Sequence, residues 1–73
     1  MKFFDWELDI EGSLKTYVDI ENRRVAILTK LDDEIHMTLE LDKKDQLVMH
    51  PRWSINITVV GDKHLKLTTN TED

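Results

Sequence analysis

The sequence predicts an all-β domain, a small antiparallel meander of six or seven strands closed as a barrel or folded as a sandwich. Three observations carry that expectation. Apolar and polar residues alternate with a period of two along nearly the whole chain, the mark of strands with one buried face. Turn-forming residues recur at short intervals, at Gly12-Ser13, Asn22-Arg23, Asp32-Asp33-Glu34, Lys43-Lys44-Asp45 and Gly61-Asp62-Lys63. No segment combines a 3.6-residue apolar period with helix caps.

The first strand sets Phe4, Trp6, Leu8 and Ile10 against Asp5, Glu7, Asp9 and Glu11. After Gly12-Ser13, Leu14, Thr16, Val18 and Ile20 turn inward, and Lys15, Tyr17, Asp19 and Glu21 turn outward. Asn22-Arg23 fits a two-residue hairpin loop with Asn22 at positive φ. That register pairs Tyr17 with Leu28, Val18 with Ile27 and Glu21 with Arg24. Val25, Ile27, Thr29 and Leu31 continue the apolar side, followed by Ile35, Met37, Leu39 and Leu41. Pairing Leu31 with Ile35 sets Arg24 opposite Asp42, and the next turn sets Leu41 opposite Leu47.

From Leu47 the period runs through Met49, Trp53, Ile55, Ile57 and Val59, interrupted by Pro51. Proline cannot donate to a ladder, so residues 46–60 read as one strand bent at Pro51 or as two strands meeting at a corner. His64 to Thr69 is the last strand, with Leu65 and Leu67 inward. Residues 70–73 read as a frayed polar tail. The expected core includes Trp6, Val18, Ile27, Leu39 and Ile57.

A sheet with one face this apolar must cover it, and no helix is available. It can roll into a barrel, fold over itself, or pack on another copy. The chain has 73 residues and no cysteine, one domain without disulfides. Domains of this size often reach stability by oligomerising, so a homodimer is one of the expected solutions.

The net charge is -5, from 15 acidic and 10 basic residues. That balance excludes an unaided basic footprint for nucleic acid or anionic membrane. No apolar run reaches the roughly 18 residues of a membrane helix, and no signal-like apolar stretch follows Met1, which points to a cytoplasmic chain. Asn56-Ile57-Thr58 matches a glycosylation sequon but has no secretory context.

Nothing in the sequence forms a phosphate loop, nucleophile elbow or zinc-binding HExxH, and neither Ser13 nor Ser54 has a base nearby in sequence. His36, His50 and His64 sit apart on outward or turn positions. Asp32-Asp33-Glu34 lacks the spacing of a calcium loop. The expectation is a protein that is not an enzyme and holds no cofactor or metal.

The acidic row is the most pointed feature. Residues 1–21 hold six acids (Asp5, Glu7, Asp9, Glu11, Asp19, Glu21) and two bases, nearly all the excess negative charge. Same-face carboxylates on one strand stand ~7 Å apart and repel, and a basic protein surface would relieve that repulsion. Tyr17 and Leu28, with Ala26 beside them, add an apolar spot to the outward face. The expected function is therefore non-enzymatic binding of a protein with a basic surface, such as the groove of a nucleic-acid-handling protein. Size and acidity supply an analogy with inhibitors encoded by phages and mobile elements. Two other readings compete. One is a ligand-binding mini-barrel with Trp6, Trp53, Met37 and Met49 around a cavity, and the other is a self-assembling structural subunit.

Overall fold

A computed structural model describes residues 1–53 and 55–69, so Ser54 and the expected tail at 70–73 lie outside the described residues. Eight strands follow one another: β1 (Lys2–Phe3), β2 (Trp6–Ile10), β3 (Leu14–Asp19), β4 (Arg24–Thr29), β5 (Ile35–Leu41), β6 (Leu47–Pro51), β7 (Ile55–Gly61) and β8 (His64–Thr69). They form two four-stranded sheets, ordered β1-β2-β8-β7 and β3-β4-β5-β6. The all-β expectation holds, with three corrections: there are eight strands, the barrel does not close, and β2 runs parallel to β8.

The extra strand comes from a turn the sequence does not advertise. Phe3 pairs with Trp6, and Phe4 takes the left-handed conformation (φ 56°) between them. This reverses the expected faces, so Phe3 is fully buried and Phe4 is exposed. A bulky residue at positive φ is strained. Here the Phe4 ring packs edge-on against Phe3, centroids 5.0 Å apart, and the Arg23 guanidinium lies 5.5 Å from its centre.

The chain crosses between sheets twice. The first crossing is the Gly12-Ser13 turn, where Gly12 has φ 72° and Lys30 N–H donates to the Ser13 carbonyl at 2.7 Å. The second is the corner after Pro51, where the two-strand reading of residues 46–60 is the correct one. There the N–H groups of Arg52 and Trp53 both donate to the His36 carbonyl, at 2.8 and 3.1 Å. β6 therefore ends one sheet and β7 ends the other.

Within β3-β4-β5-β6 every pairing joins neighbours in sequence, but two registers differ from expectation. Asp19 pairs with Arg24, so the loop is residues 20–23, closed by Arg23 N–H donating to the Ile20 carbonyl at 3.1 Å. Arg23, not Asn22, has the positive φ of 55°. The Asp19 carboxylate accepts from the Asn22 side-chain amide at 2.8 Å, and this local bond favours the longer loop. Tyr17 consequently pairs with Ala26 rather than Leu28. Arg24 faces Glu40, at 3.6 Å, rather than Asp42. A two-residue slip keeps every side chain on its face, which is why the burial pattern survives the error. Leu31, expected inward, sits at a loop tip and is 92% exposed. Leu41 does pair with Leu47; Asp42 holds that turn by accepting from the N–H groups of Lys44 and Gln46 at 2.8 and 2.9 Å.

Both sheets feed one apolar core. Phe3, Leu8, Leu65 and Leu67 come from the first sheet, and Leu14, Val25, Ile27, Met37, Leu39 and Leu41 from the second. Ile27 and Leu39 are core as expected, and Trp6 packs half-buried against it. Val18 and Ile57 are corrections, each 37% exposed. Both face inward by parity, but they stand on strands at the ends of their sheets, where cover is incomplete.

Candidate functional site

The acidic row lies on β2 and the turns beside it. Its surroundings are set by β8, because parallel pairing places Glu7 beside His64 and Asp9 beside Lys66. Each carboxylate has a cationic or hydrogen-bonding neighbour. Asp5 lies 3.7 Å from Lys63, Glu11 3.5 Å from Lys66, and Glu7 3.0 Å from the Met1 ammonium. His64 Nε2 is 2.8 Å from Asp9 Oδ2. Asp19 and Glu21 do not extend the row, since β3 belongs to the other sheet and Glu21 to the loop after it. The structure brings Asp5, Glu7, Asp9 and Glu11 together and interleaves them with bases; it keeps Asp19, Glu21, Tyr17 and Leu28 elsewhere.

Hydrogen bonding from the Asn22 side chain, then from its backbone N–H, with Arg24 adding to it, holds the Asp19 carboxyl below the ordinary aspartate range. The Thr29 hydroxyl and then the Glu34 N–H do the same for Asp32. Both serve turns. Tyr17 is 71% exposed on β3, with Ala26 and Leu28 half-buried on β4 beside it. Phe3, being in the core, does not cover that spot.

The histidines are dispersed: His64 with Asp9, His50 3.4 Å from Glu40, and His36 on β5. Among the described residues no three His, Cys, Asp or Glu gather as a metal group, and no helix is long and apolar enough to cross a membrane.

A cleft of about 300 Å³ opens beside Phe4, Trp6, Arg23, Leu41 and Asp45, with Arg23 ion-paired to Asp45. Trp6 Nε1 and Arg23 Nε are buried there without acceptors among the described residues. Each such donor costs about 1–3 kcal/mol.

The opposite side of Trp6 offers a different geometry, which sequence reasoning missed. A largely apolar slot of about 310 Å³ lies between the end strands β6 and β7, lined by Trp6, Leu47, Met49, Val59, Gly61 and Leu65 and by Asp62 and Lys63 of the turn after β7. Val59 is 74% exposed, and Met49, Ile57 and Val60 are exposed beside it. Among the described residues β7 has β8 on one side and no strand on the other. Its sequence, Ile-Asn-Ile-Thr-Val-Val-Gly, contains no charge and no proline. The signal was present in the sequence as an uncharged, β-branched run, but its place at a sheet end was not. The slot is wide enough to bury apolar side chains beside a strand edge that can extend a backbone ladder. Comparison with known protein families, curated proteins and solved structures gives no match to this chain.

Proposed function

We propose that this domain is a non-enzymatic protein-binding module that receives an extended segment along β7, with apolar side chains of that segment entering the slot toward β6. The observation that carries the reading is the unpaired, uncharged β7 edge beside an exposed apolar slot. Sheet edges of soluble proteins are normally blunted by charge, proline or covering structure, and an undefended one is a template for strand addition. The other long end strand of the fold, β3, carries Lys15 and Asp19 and fits that norm. The Val60 bulge lies at the turn end of β7 and leaves Ile55–Val59 in regular register.

The acidic face is less favoured as the contact, because bases of β8 and the Met1 ammonium already stand among its carboxylates. The two proposals separate by salt. Short peptides of alternating apolar and polar residues should shift the amide resonances of Ile55 to Val59, with little salt dependence, and Val59→Lys should weaken them at least tenfold. Shifts confined to Glu7, Asp9 and Glu11, with steep salt dependence and no effect of Val59→Lys, would return the contact to the acidic row.

A further inference from the structure

We infer that the strand added at β7 is the β7 of a second copy, in a reversible two-fold dimer; this rests on the strand-addition reading and names its partner. In antiparallel self-pairing facing residues either both direct their N–H and C=O groups across the seam or both turn them away, so only residues of the same parity can oppose one another. Placing Ile57 on the two-fold axis sets Ile57 against Ile57 and Ile55 against Val59 on the inner face, and Asn56 against Thr58 on the outer face. Each is a matched pair of kinds that stabilise sheets, β-branched with β-branched and amide with hydroxyl. Moving the axis one residue, to Thr58, would set polar Asn56 against Val60. The Ile57 register is the one in which every facing pair from Ile55 to Val59 matches in kind.

Charge agrees with this. No like charges oppose each other along the seam, because β7 has none. Antiparallel pairing also carries the Asp62 turn of each copy toward the Arg52 end of the other. Neither Asp62 nor Arg52 has an ion pair among the described residues. A two-fold contact is isologous and closes on itself, so the edge is consumed and not passed on into a fibre.

The area sets the strength. Met49, Ile57, Val59 and Val60 are 44, 37, 74 and 47% exposed, a small apolar patch of the size that supports a weak interface. The dimer is concentration-dependent.

Sedimentation equilibrium over a wide concentration range tests it, on wild type and two double variants. Asn56→Glu with Thr58→Glu sets acid against acid at both symmetric pairs, whereas Asn56→Lys with Thr58→Glu sets base against acid. Both variants carry the same Thr58→Glu change, at a position that faces Lys66 within its own chain. Both sites are exposed, so the monomer folds alike in each; circular dichroism checks this. Wild type should pass from monomer to dimer. At low salt the Lys/Glu variant should dimerise roughly tenfold more tightly than the Glu/Glu variant, a gap that narrows as salt rises. A wild type that stays monomeric throughout overturns the dimer and leaves strand addition to its peptide test. Equal dimerisation of the two variants overturns the β7 seam.

Discussion

Strands β2 and β7 flank β8 in the same sheet and share one alternating pattern, yet Leu8 of β2 is fully buried while Val59 of β7 is 74% exposed. Both residues face inward, and both pair with Leu65 across β8. The difference is position. β2 has β1 on its other flank and the second sheet above it; among the described residues β7 has no strand on its other flank and incomplete cover. Alternation decides which way a side chain points, and the neighbours decide whether anything meets it there.

The sharpest way to break that comparison is truncation at both sites. Leu8→Ala should destabilise the fold by about 2–5 kcal/mol, since it opens a cavity in a packed core. Val59→Ala should cost about half a kcal/mol or less at concentrations where the chain is monomeric. Urea unfolding midpoints at low protein concentration report both; comparable losses would mean that the slot closes in solution.

A smaller effect separates the polar faces. On the outer face of this sheet, Asp9 of β2 and His64 of β8 are partly exposed and in contact, so a double-mutant cycle with Asp9→Asn and His64→Gln should give a coupling of about 0.2–1 kcal/mol. The outer face of β7 offers no such pair among the described residues, and at concentrations where the chain is monomeric Asn56→Gln with Thr58→Ser should show no coupling beyond error.

The smallest effect concerns acid. The depressed pKa values of Asp19 and Asp32 mean that each carboxylate stabilises its turn above its unfolded pKa, about 3.9, and that this contribution disappears as pH falls through the lower folded value. A carboxyl-carbon titration by nuclear magnetic resonance should place both midpoints below that unfolded value. Asn22→Ala should move the Asp19 midpoint upward and leave Asp32 in place. Midpoints at or above the ordinary value would remove the turn bonds as their cause.

The local part of the fold was legible. Leu14, Val25, Ile27, Met37 and Leu39 are buried where the period puts them, and Pro51 marks the change of sheet. The Phe4 turn was not legible, because neither Phe4 nor Asp5 is a residue whose neighbours announce a reversal there. The parallel ladder left no local trace either, since the pairing of Glu7 with His64 depends on how the chain returns and not on anything adjacent. The same gap hid the candidate site. The acids of β2 could be read as a row, but the bases of β8 that stand among them could not, and β7 could be read as a strand but not as an edge.

The ladder between β2 and β8 also bears on how the protein reaches its native state. β3 to β6 form by three consecutive hairpins, each closing a short loop, whereas β2 and β8 meet only after the intervening chain has folded back. Closing the longer loop loses more entropy before any contact compensates for it. The hairpin sheet is therefore the cheaper half to nucleate, and docking of the β7-β8 hairpin onto β2 completes the domain. A substitution that weakens the β2–β8 ladder should accordingly leave open strand edges on β2 and on the β7-β8 hairpin, the surfaces on which chains aggregate.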